Sequence, residues 1–172
     1  MKFLKLLFII LASSTYRCSE QETVDCEKVA AELIGEWRGS SIYSNPRSAN
    51  GSIHEFSLVV SGSDGCNFMG ITTYESSITT FNVTGSVDIF GWVTFTEESK
   101  LEDGGEYNDC LTRTNSSAIC NSWPDLRWKE GNKFEDARFK RDPYILNGNF
   151  ERPNSFEKWW QKLRGTFSLS KI

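Results

Sequence analysis

Residues that could catalyse a reaction are few in this chain, because it contains a single histidine, His54. A Ser-His-Asp arrangement would need His54 as its base, and the chain lacks the strand-turn-helix motif that presents a nucleophilic serine. His54 also stands without a pattern that supports haem ligation, and no two carboxylates are marked out by their spacing as a glycosidase pair. The sequence therefore favours a binding protein over an enzyme.

Metal-binding chemistry has equally little support in the residue pattern. The five cysteines form no Cys-x-x-Cys pair, which argues against a zinc site. The acidic stretch 97–109 does not follow the order of ligands in an EF-hand, so we interpret it as a solvated loop rather than a calcium site. We predict no metal and no cofactor.

The aromatic residues are more informative, since the chain has 6 Trp, 5 Tyr and 12 Phe. The interior side chains of a small barrel either fill the space or line a cavity for one small ligand. Five aromatic residues on predicted strands are the candidates for lining such a lumen: Phe68, Tyr74, Phe81, Trp92 and Phe95. The competing interpretation is that these rings pack against one another as a filled core.

Strand-like segments follow one another along the chain, with turn-forming residues between them. Apolar and polar residues alternate around residue 56 and again over 165–172, as in a strand with one buried face. The predicted strands are 37–43, 55–60, 68–74, 78–87, 92–96, 144–150 and 165–172, with turns at 45–52, 61–65 and 88–91. A short hairpin is predicted at 111–120, and 121–143 is interpreted as a strand with a long loop.

Short strands at this spacing are typical of an all-β fold. We predict an antiparallel closed or nearly closed β-barrel of about eight to ten strands, whose last strand returns beside its first. Residues 26–34 carry apolar residues at helical spacing, so a short N-terminal helix is expected to plug one end of the barrel.

The Gly-x-Trp sequence at Gly35–Trp37, placed between the short helix and the first strand, resembles the opening of the lipocalin and calycin group. That resemblance implies a tryptophan, Trp37, that closes one end of the barrel against a basic residue from a late strand, for which Arg164 is the candidate. The stretch 35–39 with Pro46 also resembles the opening motif of nitrobindin-like haem barrels. The chain departs from that motif further on and has no C-terminal histidine, so no haem is expected.

The N-terminus has the pattern of a secretory signal peptide, with Lys2 and Lys5 before the apolar run 6–12. That run is far shorter than the roughly 20 apolar residues of a membrane-spanning helix, and no transmembrane segment is predicted. We expect residues 1–18 to be the leader, cut near Ser14 or after Cys18, and 19–172 to form one secreted, extracellular domain. A lipid anchor at Cys18 is disfavoured because bulky residues precede it.

The other four cysteines form an even set in a chain expected to be exported: Cys26, Cys66, Cys110 and Cys120. Two disulfides are therefore predicted, and the three connectivities cannot be separated from sequence. The favoured pairing joins Cys110 to Cys120 across a polar tip and Cys26 to Cys66.

Three Asn-x-Ser/Thr sequons, at Asn50, Asn82 and Asn115, are candidate glycosylation sites of a glycoprotein. Asn50 and Asn115 lie in polar, turn-like segments, whereas Asn82 lies within a predicted strand. Their use depends on a source that glycosylates exported proteins.

The net charge of the chain argues against some classes of binding partner. The formal net charge of −4 becomes −7 once the three cationic leader residues Lys2, Lys5 and Arg17 are left out. An acidic domain without a basic stripe argues against nucleic acid and anionic membrane surfaces.

The sequence thus predicts a secreted β-barrel that binds a small, largely apolar ligand in its lumen. The alternative is a secreted protein-interaction module, such as a barrel-type protease inhibitor, that contacts a protein partner through exposed loops at 97–109 and 121–143.

Overall fold

The computed structural model describes residues 22–45, 50–75, 79–103, 115, 131–152 and 163–172. The elements are α1 (Cys26–Leu33), β1 (Gly35–Asn45), β2 (Ile53–Asp64), β3 (Asn67–Tyr74), β4 (Thr79–Val87), β5 (Trp92–Asp103), β6 (Lys133–Lys140), β7 (Ile145–Glu151) and β8 (Arg164–Lys171). The predicted leader, Cys18, the hairpin at 111–120 and the cysteine pair Cys110 and Cys120 lie outside the described residues.

The eight strands form a closed barrel in which each strand pairs antiparallel with the next. The barrel closes where β8 returns beside β1, with Gly39 opposite Leu169 in the register of the two strands. The predicted all-β barrel with a short N-terminal helix is confirmed, and so is the return of the last strand to the first.

Two strands are longer than the turn-forming residues indicated. β2 continues through the predicted turn at 61–65 as far as Asp64, because a register shift between Val60 and Gly62 accommodates Ser61 as an extra residue without ending the pairing with β3. β5 continues to Asp103, so the loop predicted at 97–109 is wrong for its first part. Glu97 and Glu98 both lie in β5, where alternation sends the first inward and the second outward.

Helix α1 covers one end of the barrel, here called the helix end. The Asp25 side chain caps the helix by accepting a hydrogen bond from the Lys28 backbone N–H at 3.1 Å. One face of the helix, with Val29 and Leu33, is buried in the barrel core. The Cys26–Cys66 disulfide ties the start of the helix to the turn between β2 and β3, which confirms that predicted pair.

Trp37 lies fully buried at the helix end. Its indole Nε1 donates to the Leu33 carbonyl at 2.7 Å, so the ring holds the end of α1 against β1. The cation near this ring belongs to Lys171, whose Nζ is 5.6 Å from the ring centroid and donates to the Glu32 carbonyl at 2.6 Å. Arg164, the predicted partner, lies at the other end of β8 opposite Asn45. Because β8 runs towards the helix end, its last basic residue reaches Trp37 and its first does not.

Replacing Lys171 by methionine is expected to cost about 1.5 kcal/mol of unfolding free energy, because the variant loses a charged hydrogen bond and a cation–π contact but keeps the aliphatic stem. The matched change Arg164→Met should stay within about 0.5 kcal/mol, since that side chain is exposed. Urea denaturation of the two variants checks this. Equal losses of unfolding free energy in Lys171→Met and Arg164→Met would contradict the assignment of Lys171 to the helix end.

Within the described part of the chain, no helix has the length and apolar character needed to span a membrane.

Candidate functional site

The end of the barrel opposite α1, here called the far end, is where β1 leads to β2, β3 to β4, β5 to β6 and β7 to β8. The connection between β5 and β6 is the longest, since it runs from Asp103 to Lys133. Long connections at one rim of a barrel commonly carry its binding residues. The inward-facing side chains at the far end are therefore the first place to look for a site.

Phenylalanine rings occupy the middle of the barrel. Phe95 stacks on Phe134 with ring centroids 4.2 Å apart, and Phe134 meets Phe167 edge-on at 5.0 Å. The five rings of this column, none more than 3% exposed, are Phe56, Phe95, Phe134, Phe150 and Phe167. In the described structure the middle of the lumen is thus a packed aromatic core, and the filled-core interpretation applies to Phe95.

Four of the five predicted lumen residues face inward, and one does not. Phe68 lies near the helix end, where its ring covers Gly85, while Tyr74 and Phe81 lie at the far end. Trp92 is half-buried on the outer face of β5, with the Arg138 guanidinium carbon 3.2 Å from its ring centroid. The prediction that Trp92 lines the lumen was wrong, and the spacing of the residues shows why. Residues an odd number of positions apart in a strand point to opposite faces, so Trp92 cannot share a face with Phe95.

Three aromatic side chains form the inner wall of the far end. They are Tyr43, Tyr74 and Phe81, and they retain 6–7% exposure, more than the phenylalanine column beneath them. Tyr74 stacks on Phe56 of the column at 5.4 Å and meets Phe81 edge-on at 6.2 Å. The wall is therefore continuous with the core and forms its outermost layer.

A buried polar cluster lies beside this wall and is centred on Glu97, which is fully buried. One carboxylate oxygen accepts a hydrogen bond from the Thr72 hydroxyl at 2.6 Å, and the other accepts from the Asn132 backbone N–H at 2.6 Å. The Asn132 side-chain amide donates to the Tyr74 hydroxyl at 2.6 Å and accepts from Arg152 Nε at 3.1 Å. These five residues are called the Glu97 cluster below.

The backbone also holds Glu97 in place. Glu97 N–H donates to the Asn132 carbonyl, and Gly131 N–H donates to the Glu97 carbonyl, both at 2.9 Å. A side chain at Gly131 would overlap the Glu97 carboxylate, so only glycine lets the chain pass this closely. The cluster therefore fixes the point at which the long connection enters β6.

Burial dominates the electrostatics of the cluster. It raises the pKa of the Glu97 carboxyl, against the opposing effect of the hydrogen bonds that the carboxylate accepts. Burial also raises the pKa of the Tyr74 phenol well above its ordinary value, and the nearby Glu97 charge raises it further. Tyr74 therefore keeps its proton, and its hydroxyl accepts a hydrogen bond from the Asn132 side-chain amide.

One inward-facing hydroxyl at the far end has no hydrogen-bond partner among the described residues. Thr79 begins β4 directly opposite Tyr74 in the register, and its side chain is 5% exposed. Its Oγ1 atom makes no hydrogen bond within the described structure. Leaving such a group unsatisfied costs about 1–3 kcal/mol, and buried hydroxyls in native proteins nearly always have a partner.

The three sequon asparagines lie outside this region of the barrel interior, whereas His54 lies at its rim, on the same face of β2 as Phe56. Asn50 is exposed in the turn between β1 and β2, Asn82 is exposed on β4 with its amide donating to Ser99 Oγ at 3.0 Å, and Asn115 is exposed. Their glycosylation stays a prediction. His54 packs its ring edge-on against Tyr43, with centroids 4.9 Å apart. Among the described residues no group of three or more His, Cys, Asp or Glu is arranged to hold a metal ion.

Sequence reasoning missed Glu97 as a site residue because its neighbours are acidic and suggested a loop. The signal that could have found it is the alternation Val93, Phe95, Glu97, which places the carboxylate on the inner face of β5. Comparisons of the chain with protein-family models, with curated proteins and with solved structures found no match. The geometry of the far end therefore carries the functional argument alone.

Proposed function

We propose that this chain is a binding protein for a small, largely apolar ligand, held at the far end of the barrel rather than in the middle of its lumen. The observation that carries this is the aromatic wall of Tyr43, Tyr74 and Phe81 beside the Glu97 cluster. Ligand pockets are mostly apolar surfaces with a few fixed polar groups, and the mouth of a β-barrel is a common place for one. The packed phenylalanine column supports the shift from the lumen to the far end.

Two further observations support the wider proposal of a secreted, lipocalin-like protein. The closed antiparallel barrel of eight strands with a short N-terminal helix is consistent with that fold. The Cys26–Cys66 disulfide fits an oxidising compartment. In this proposal Trp37 and Lys171 close the helix end, and the ligand is held at the opposite rim.

Replacing Phe81 by leucine is expected to weaken binding of the neutral dye N-phenylnaphthylamine about fivefold, because the variant loses ring surface at the proposed site. The matched control is Phe68→Leu, which makes the same change at a similarly buried position near the helix end. Phe68 lines a separate groove there, so weaker binding in this variant alone would place the dye in that groove. Fluorescence titration of the dye measures both affinities, and denaturation corrects for the roughly 1 kcal/mol that each variant loses in stability. Equal affinities of the two variants would place the site elsewhere.

A second candidate function, a protein-interaction module, is favoured by an apolar patch on the outer face. Val59, Met69 and Ile71 lie side by side on β2 and β3 and are 44%, 55% and 41% exposed. Met69 also lines a groove of about 410 Å³ that crosses β3, β4 and β5. If Ile71→Thr abolishes dye binding and Phe81→Leu does not, the outer face is the apolar binding surface and this candidate takes precedence.

A further inference from the structure

The hydroxyl of Thr79 stands out among the polar groups of the barrel interior. It faces inward at the far end of β4, in a side chain that is only 5% exposed, and has no hydrogen-bond partner in the described structure. Valine has nearly the same shape as threonine and would fill this position without burying an unpaired oxygen. Within the described structure, therefore, valine at this position would lose no hydrogen bond that threonine makes.

The neighbouring hydroxyls are already occupied. Thr72 donates to the Glu97 carboxylate, and the Tyr74 hydroxyl accepts from the Asn132 side-chain amide. Opposite residues in an antiparallel pair have their side chains about 5 Å apart, so Thr79 sits beside the Tyr74 ring of the aromatic wall. A buried hydroxyl without a hydrogen bond in the described structure thus adjoins the surface assigned to the apolar part of the ligand.

We propose that the Thr79 hydroxyl is the polar contact of the ligand at the far end and that the ligand carries an uncharged hydroxyl or carbonyl group on an apolar body. This inference rests on the proposed function. Thr79 can donate to a carbonyl oxygen or exchange hydrogen bonds with a hydroxyl, whichever the ligand presents.

The charges near the site favour a neutral group over an ion. A ligand carboxylate would approach the buried Glu97 carboxylate, whose field already disfavours ionisation of Tyr74. A ligand cation would meet Arg152, whose guanidinium bonds to the Asn132 side chain of the same cluster. A neutral group meets neither repulsion.

The test compares three compounds that share one chain length: decanol, decanoate and decane, each competing with N-phenylnaphthylamine at pH 8. The wild type should bind decanol more tightly than either of the others. Thr79→Val should weaken decanol binding about tenfold, because a tenfold loss of affinity corresponds to one hydrogen bond to a buried group. The same variant should leave decane binding unchanged. Thr79→Ser, which keeps the hydroxyl, should retain the preference for decanol.

The matched control is Thr80→Val, the same change at the next residue, whose side chain faces the outside of the barrel. It should leave all three affinities unchanged. Thr79→Val should also raise the urea midpoint of the unliganded protein, because an unpaired buried hydroxyl is removed, so the variant gains stability as it loses binding.

The possible failures are distinguishable. If neither the dye nor any of the three compounds binds the wild type, the proposed function is wrong and the inference falls with it. If they bind but Thr79→Val keeps the wild-type ratio of decanol to decane affinity, the inference is wrong and the proposed function stands. A lowered urea midpoint with unchanged binding would likewise overturn the inference, since it would assign the hydroxyl a structural role.

Discussion

Replacing Gly39 by alanine is expected to destabilise the barrel by about 3 kcal/mol or more, because the new methyl group has no room. Gly39 faces inward on β1 where β8 closes the barrel, and a Cβ there would overlap the Ser168 backbone carbonyl. A backbone oxygen in a paired strand cannot rotate away as a side chain can, so the two strands would have to separate. Urea denaturation followed by circular dichroism measures the loss.

The same strand pair contains a second such position and β2 contains a control. A Cβ at Gly165 would overlap the Ile42 carbonyl across the same two strands, so Gly165→Ala should cost a similar amount. A methyl group at Gly62 would meet no atom within 4 Å, and Gly62→Ala should stay within about 0.5 kcal/mol. If Gly39→Ala unfolds at the same midpoint as Gly62→Ala, close approach of β1 and β8 does not stabilise the barrel.

Replacing Glu97 by alanine is the second large effect, with an expected loss of about 3–5 kcal/mol. The change leaves the Thr72 hydroxyl and the Asn132 backbone N–H buried without their acceptor. It also frees the start of β6 from the carboxylate that fixes it. Glu97→Gln keeps the size and one acceptor oxygen, so it should lose only about 1–2 kcal/mol. Equal losses in the two variants would mean that packing, rather than hydrogen bonding, determines the cost.

The pH dependence of stability separates these variants further. Burial raises the pKa of the Glu97 carboxyl in the folded protein, whereas glutamate in an unfolded chain titrates near about 4.3. The folded state therefore binds the Glu97 proton more tightly than the unfolded state does. The resulting stabilisation is fully present below the pKa of the unfolded state and is lost as pH rises through the pKa of the folded state. Relative to Glu97→Gln, which has no carboxyl at this position, the wild type should lose stability between about pH 4.5 and neutral pH.

The urea midpoints of the wild type and Glu97→Gln are measured at about pH 4.5 and about pH 7.5. The change in midpoint between the two pH values in the variant is then subtracted from the change in the wild type, which gives a double difference. Other carboxylates contribute equally to both proteins and cancel. A double difference of zero would show that the cluster holds Glu97 with an unshifted pKa. A wild type that gains stability relative to the variant would show that the hydrogen bonds from its neighbours outweigh burial.

Much of the barrel was predictable because its determinants are local in the sequence. Alternation of apolar and polar residues defines a strand wherever one face is buried, and residues 165–170 show it without interruption. The helix was predictable for a similar reason, since helical spacing is read from a short stretch. The Cys26–Cys66 pair belonged to the favoured one of three connectivities that cysteine parity left open. The ends of the strands were less predictable, because β2 and β5 continue past residues that usually form turns.

The other features depend on the direction of each strand in the closed barrel and on the face of the strand from which each side chain projects. Strand direction determines that Lys171, and not Arg164, lies against Trp37. The facing of β5 sends Trp92 outward and buries Glu97, whose partners come from β3 and from the chain entering β6. The sequence by itself determined an antiparallel barrel closed by its first and last strands. Only the tertiary structure decided that phenyl rings fill its middle and that a polar cluster lies at its far end, because both depend on side chains brought together from distant strands.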